Sequence, residues 1–425
     1  MNRRNFMKTS AILGSGSVLM PTYLFGKDYS ESYKKITFNE TLYNNNSQNI
    51  VIFLYGGASE LAGNLSNFED IQSMSENKYS NIEITENGFW KNAGGELMEE
   101  MLVSKNMSIV RTINRTINNT RSHGLQQMEN LKGANDIEKA GFFREILEIL
   151  YQNGKLDVST VIPAITLGES AIYDNGNLIP NALLNPISIN SKLENPFDFE
   201  NDYHLEKVSE SFYSLIERNV NQNKSNAYLT KMGGHFFKRN ELSAFINDIS
   251  QKTIPIPFEN NVISDSLSSN LKLMLNNKST KLAFIKHPVG WDDHSNALNQ
   301  YSNRHNELIV AIDKSIQNLK ALENKTINIW VMTEFGRNVN LNDSGGWDHG
   351  NQFNLMVFSN NDTLKMGKII GETEIYGEDG TRLYTRPKEN SVSYEPYAIA
   401  STIAKLYGIE NFEEINGQSA IDTLI

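Results

Sequence analysis

The chain has no cysteine at all. That absence excludes disulfides, zinc ribbons and thiol nucleophiles. Any metal must then be held by histidine, carboxylate, amide or hydroxyl groups, which favours a hard or borderline cation. Basic residues are also in deficit: 39 Lys and Arg stand against 50 Asp and Glu, a formal net charge of -11. Such a balance argues against generic attraction to nucleic acid or to anionic lipid. The sequence shows no internal repeat, no P-loop and no G-x-S-x-G nucleophile elbow. What it does contain is 39% hydrophobic residues over 425 positions, enough for a packed interior larger than one minimal core.

The N-terminus reads as an export segment. Asn2-Arg3-Arg4-Asn5-Phe6-Met7-Lys8 resembles the twin-arginine pattern, with paired arginines before a bulky apolar residue and a lysine. The stretch that follows, Thr9 to Phe25, is too short and too polar for a comfortable transmembrane helix. Residues 1–27 are therefore expected to be a signal segment, and residues 28–425 one large domain. The expected location is the periplasm or outside the cell, with the twin-arginine machinery as a partner. A disordered basic N-terminus is the plainer alternative.

Hydrophobic patterning predicts alternating strands and helices. Asn49–Tyr55, Met107–Ile113, Val158–Leu167, Lys281–His287, Ile327–Thr333 and Phe353–Phe358 are short apolar runs of strand type. Ser122–Leu131, the segment around Phe142 and Leu150, a long segment from Tyr301 to Leu319, and Tyr397–Tyr407 show helical spacing. Residues from about 186 to 278 are more polar and helix-prone, and are expected to form a helical insertion or cap. The order implies an α/β fold, with a mostly parallel sheet sandwiched between helices. In such sheets ligands sit beyond the carboxyl ends of the strands.

The chemistry-bearing residues fall in that position. Gly290-Trp291-Asp292-Asp293-His294 follows one strand; Asp292 and His294 stand two apart and can share a side of an extended turn. The plain alternative is a polar turn with Asp292 or Asp293 capping the next helix. Thr333-Glu334-Phe335-Gly336-Arg337 ends another strand, with Glu334 placed as a metal-bridging carboxylate and Arg337 as a clamp for an oxyanion. A simple Glu334–Arg337 ion pair is the alternative. Asp348-His349-Gly350 lies in a glycine-rich loop that allows the sharp bend adjacent ligands need to reach one ion; a surface loop with a solvated Asp348 is the alternative. In Arg121-Ser122-His123, Ser122 is either an ordinary helix N-cap or a nucleophile beside a metal, with Arg121 near an anionic group. His305 reads as a core histidine, His204 and His235 as structural, and His287 as an outer candidate.

The twin-arginine start, the strand into Gly56-Gly57-Ala58, Arg121-Ser122-His123, Gly290-Trp291-Asp292-Asp293-His294, and Met332-Thr333-Glu334-Phe335-Gly336-Arg337 followed by Asp348-His349-Gly350 together resemble the bacterial domain-of-unknown-function family 1501. That family is similar to the alkaline phosphatase and sulfatase superfamily. The resemblance implies an alkaline phosphatase-like sandwich with a bimetal-type site. It implies Asp292 with His294 as one ligand pair, Asp348 with His349 as another, Glu334 as the acidic strand-end position and Ser122 at the nucleophile position. One departure stands out: Ser59 occupies the place where the family has an acidic residue, and Glu60 follows it. Either Glu60 substitutes as a ligand or one metal site is weakened.

The resulting expectation is an exported hydrolase of phosphate or sulfate esters that uses a divalent metal (Zn, Mg, Mn or Ca). Its partner would be an anionic ester substrate rather than nucleic acid, and it would not be an integral membrane protein. The alternative is a catalytically inactive periplasmic binding protein on the same fold. A transferase resembling phosphoglycerate mutase would require phosphorylation of Ser122.

Overall fold

The computed structural model describes residues 33, 36–74, 79, 82–156, 162–168, 170–179, 181–195, 211, 214–215, 218, 241–378 and 382–425. The proposed export segment, His204 and His235 lie outside these residues.

The strands are β1 (Gln48–Leu54), β2 (Met107–Asn114), β3 (Ala164–Leu167), β4 (Ile187–Ser188), β5 (Leu282–Lys286), β6 (Ile327–Thr333), β7 (Gln352–Ser359) and β8 (Ile369–Ile370), which form one sheet, and β9 (Thr373–Glu378) and β10 (Arg382–Pro387), which form a separate two-stranded ribbon. The sheet order is β4-β3-β5-β1-β6-β7-β2-β8. β1 lies at its centre, parallel to β5 on one side and β6 on the other. β7 runs antiparallel to both β6 and β2. The other pairings in this sheet are parallel, as expected from the apolar strands.

Every residue of β1 and β6 is buried, because both faces of the sheet are covered. Side chains alternate between two cores, as the strand period requires. Ile50, Ile52, Ile329 and Val331 enter one core, together with the helices α1 (Gly95–Val103), α4 (Val262–Asn276) and α5 (Ala297–Ala321). Val51, Phe53, Trp330 and Met332 enter the other, with α2 (His123–Lys132), α3 (Phe142–Gln152) and α6 (Ala398–Leu406). Each such fully buried side chain stabilises the fold by about 1.5–3 kcal/mol.

The segment read as an insertion is divided. Ile187–Ser188 forms the edge strand β4, residues 241–250 are helical, and Val262–Asn276 is a layer helix of the sandwich packed beside α5. At the amino ends of the central strands, buried polar groups serve the fold. The Asn49 side-chain Oδ1 accepts from Trp330 Nε1 at 2.9 Å and from Asn328 Nδ2 at 3.1 Å. The carboxyl ends of β1, β5 and β6 carry a different set of polar residues, which is half open to solvent.

Candidate metal centre

The loop after β5 and the loop between β6 and β7 are stitched together by backbone bonds. Trp347 N donates to Asp293 O at 2.8 Å, and Ala297 N donates to Gly345 O at 2.8 Å. Gly350 N donates to Gly336 O at 2.7 Å, so residues 336–338 run against residues 348–350. Two glycines make this approach possible. A Cβ on Gly336 would lie 1.7 Å from Gln352 O, and one on Gly346 would lie 2.0 Å from the His294 carbonyl carbon. The reversal of β7 completes the arrangement. Asp348 and His349 precede that strand, and only an antiparallel β7 starts at the edge where β5 and β6 end.

Four side chains meet here: His123, Asp292, His294 and His349, with one ligand atom from each within 4.8 Å of all the others. Asp292 Oδ1 lies 3.0 Å from His294 Nε2, 3.5 Å from His123 Nε2 and 4.0 Å from His349 Nε2. His294 Nε2 and His349 Nε2 are 3.1 Å apart. Donors placed about 2 Å from a tetrahedral zinc ion are separated from each other by about 3.3 Å. These spacings fit a single divalent cation held by three imidazoles and one carboxylate. The donor chemistry agrees, since all four groups are metal ligands in their ordinary neutral-pH states.

Each imidazole has its other nitrogen engaged. His123 Nδ1 meets the buried Glu334 carboxylate. His349 Nδ1 is 2.8 Å from the Arg121 carbonyl oxygen. His294 Nδ1 is 3.5 Å from Asp348 Oδ1. An acceptor at Nδ1 holds the proton there and turns the Nε2 lone pair toward the shared point.

The electrostatics follow from depth and from Arg337. Burial and the nearby cationic groups hold His349 down to about 4, although its bond to the Arg121 carbonyl opposes this. Burial pushes Asp292 up, but the Arg337 hydrogen bond and charge, with His294 and His123, bring it below the usual carboxylate range. Burial raises Glu334 despite its bond to His123.

The other residues singled out in the sequence divide by position. Glu334 stands behind His123 as its hydrogen-bond partner, and Asp348 stands behind His294 as a charged neighbour at 3.5 Å. Glu334 Oε1 also accepts from Gly56 N at 3.0 Å, which ties the β1 loop to the end of β6. Arg337 is 1% exposed. Its guanidinium donates to the carbonyls of Gly57 at 2.6 Å and Trp347 at 3.0 Å, to Gly56, and to Asp292 Oδ1 at 2.6 Å. Glu60 stands apart from the cluster: its carboxylate is buried and accepts from Thr385 Oγ1 at 2.8 Å and Arg337 N at 3.1 Å. Burial pushes Glu60 up to about 7. Ser59 is equally occupied. Its side chain accepts from Leu61 N at 3.3 Å, and its carbonyl accepts from Tyr301. Ser122 is the exposed N-cap residue of α2 and makes no side-chain capping bond. Arg121 stacks 4.5 Å over the Tyr384 ring and bonds to Asn351 Oδ1 at 2.9 Å. Asp293, next to Asp292, turns inward to Arg304 at 2.6 Å. His305 is a core histidine, its Nδ1 2.6 Å from Ala93 O. His287 lies under the site against Trp291, with ring centroids 5.0 Å apart. His123 is the cluster member that sequence reasoning passed over. Its only local signal is its place just after Ser122, at the start of a helix.

Residues 267–419 match the model of the family described as protein of unknown function DUF1501. Asp292, His294 and His349 fall within the match, and His123 falls outside it. No curated protein matches the sequence. Among solved structures, the chain resembles Ps i-CgsB in complex with k-i-k-neocarrahexaose, with 11% identity, coverage of 88% of this chain and 74% of that chain, and a TM-score of 0.40. It also resembles the lipoteichoic acid synthase LtaP from Listeria monocytogenes, with 7% identity, 94% and 82% coverage, and a TM-score of 0.40. A third is the PsFucS1 sulfatase from Pseudoalteromonas sp., with 9% identity, 90% and 72% coverage, and a TM-score of 0.32. These likenesses are too distant to carry a function across. Among the described residues, no helix is long and apolar enough to cross a membrane. The residues themselves form a cluster of histidine and aspartate able to chelate a divalent metal, on an α/β sandwich that carries a domain-like match to the DUF1501 family over residues 267–419.

Proposed function

We propose that this chain is an exported metal-dependent hydrolase of phosphate or sulfate esters. The observation that carries the reading is the convergence of His123 Nε2, His294 Nε2, His349 Nε2 and Asp292 Oδ1 on one point that opens to solvent. Three imidazoles favour zinc over magnesium, calcium or manganese, which prefer oxygen ligands. A cation bound there would polarise an ester oxygen and lower the pKa of an attacking hydroxyl. The side chains supply the rest. Glu334, Asp348 and the Arg121 carbonyl fix the three rings. Arg337 holds Asp292 and contributes fixed positive charge without reaching the substrate, because its donors are engaged by protein oxygens and, at 3.3 Å, by His294 Nε2. Arg382, paired with Asp348 at 3.2 Å, places a basic group near the ligands, which suits an anionic ester. Ser122, exposed next to His123, is the proposed nucleophile; otherwise water attacks.

The test combines elemental analysis of the purified chain with assays on aryl phosphate, aryl phosphodiester and aryl sulfate. The expected result is bound transition metal and hydrolysis of one ester class, both lost in His349→Ala. A folded, metal-free and inert protein overturns the reading. It would favour the second one, a binding protein on the same fold. The observation behind that alternative is that neither Ser59 nor Glu60 turns toward the cluster. Export rests on Arg3 and Arg4 and is tested separately: Arg3→Lys with Arg4→Lys should retain the protein in the cytoplasm, and unchanged secretion removes that part of the proposal.

A further inference from the structure

The ribbon β9–β10 belongs to neither face of the main sheet. A two-stranded ribbon is marginal on its own and needs something to dock against. Here four consecutive residues of β10 dock onto groups that stand behind the metal-binding cluster. Arg382 Nη2 lies 3.2 Å from Asp348 Oδ2, and Asp348 faces His294 Nδ1. Leu383 N donates to Asn340 Oδ1 at 2.8 Å, and its carbonyl accepts from Val339 N at 2.7 Å, which pins the chain leaving Arg337. Tyr384 Oη accepts from Arg121 Nη1 at 3.1 Å, and the Arg121 carbonyl holds His349 Nδ1. Thr385 Oγ1 donates to Glu60, whose other oxygen accepts from Arg337 N, and Arg337 in turn holds Asp292. Tyr384 and Thr385 are 2% and 6% exposed, although neighbouring strand residues point to opposite faces, so β10 is covered on both sides at this point.

One detail shows how far the backbone is committed. Arg121 has φ 53, the left-handed region, which is strained for a non-glycine residue. That conformation aims its carbonyl at His349. Its side chain is held by Asn351 and by the ring and hydroxyl of Tyr384.

We propose that the β9–β10 ribbon is the outer clamp of the metal centre: through Arg382, Tyr384 and Thr385 it sets the orientation of His294, His349 and Asp292, while Glu334 sets that of His123. These are positioning residues that act through other groups and do not touch the cation. The proposal rests on the metal-site reading above. By linkage it works in both directions, so metal binding also fastens the ribbon.

The test uses the full chain. Zn²⁺ affinity is measured by competition with a chromophoric chelator, Co²⁺ absorption reports ligand geometry, and hydrogen exchange of peptides covering 373–387 is followed with and without Zn²⁺. Tyr384→Phe keeps the ring and removes one bond; Arg382→Ala changes a half-exposed residue. Each is expected to weaken Zn²⁺ binding by about tenfold and to shift the Co²⁺ bands, with the unfolding midpoint of the metal-free chain nearly unchanged. Arg386→Ala is the control, because Arg386 pairs with Glu374 inside the ribbon at 2.7 Å; its affinity should equal that of the wild type. Zn²⁺ should slow exchange in the ribbon. If the wild type binds Zn²⁺ but Tyr384→Phe and Arg382→Ala bind it as tightly, with unchanged Co²⁺ bands and ribbon exchange, the clamp proposal alone is overturned. If the wild type binds no metal, the metal-site reading fails and the clamp fails with it.

Discussion

His287 and His305 sit beneath the carboxyl-end loops, and His123, His294 and His349 sit at their rim. Both groups contain perturbed imidazoles. Burial, ahead of every other influence, holds His287 and His305 down to about 4, just as it does His349. The lower pair packs with Trp291 and Tyr301 in an aromatic layer. Nδ1 of each ring meets a backbone carbonyl, that of Val289 or of Ala93. At the rim the same residue type has Nδ1 engaged by Glu334, Asp348 or the Arg121 carbonyl, and Nε2 aimed at a shared point with Asp292. A shifted pKa therefore does not separate a ligand from a packing residue. Convergence of the Nε2 atoms around one carboxylate, backed by an acceptor behind each ring, does.

The contrast is broken most directly at the ligands. Asp292→Ala or His294→Ala should weaken zinc binding by more than about 100-fold, read by competition with a chelator, whereas His305→Phe should leave it unchanged. Behind the ligands, Glu334→Gln keeps an acceptor for His123 but removes its charge. A loss of about 10-fold in zinc affinity is expected, with a folded, monodisperse protein by circular dichroism and scattering. Asp293 sharpens the comparison within one loop. Asp293→Asn should change zinc affinity by less than about twofold, and should lower the urea midpoint, because a charge-assisted bond to Arg304 is weakened.

The metal-free chain should lose stability as the pH is lowered. The unfolded state holds its histidines near the ordinary value of 6.5, while His305 is held to about 4 in the fold. Between these values the unfolded state binds more protons, so stability falls as pH is lowered from about 6.5 to 4. His305 alone contributes on the order of 3 kcal/mol to that loss. His305→Phe should flatten the slope of unfolding free energy against pH in this window. An unchanged slope would show that His305 takes up its proton without cost in the fold.

Much of the scaffold was legible along the chain. The all-buried strands announce themselves as apolar runs, and the observed bounds of β1, β5 and β6 lie within a residue or two of those expected. The position of Asp292 and His294 just after β5, and of Glu334 just after β6, also follows from local order. Other features have no local signature. β9 and β10 are short and polar, and they pair with each other rather than with the sheet. Glu60 looks like a substitute ligand in one dimension, but Thr385, 325 residues away, claims its carboxylate. Arg337 looks like a substrate clamp until loop carbonyls occupy its donors.

By itself, the sequence determined the sandwich and which strand ends carry acids and imidazoles, because periodicity and turn chemistry are properties of neighbouring residues. The tertiary structure alone decided that β7 reverses and so returns His349 to the edge where β5 and β6 end, that His123 arrives from a helix start to complete the set, and that the β9–β10 ribbon stands behind it. The physical reason is that ligand geometry depends on strand direction and on contacts across hundreds of residues, which no short window of the chain records.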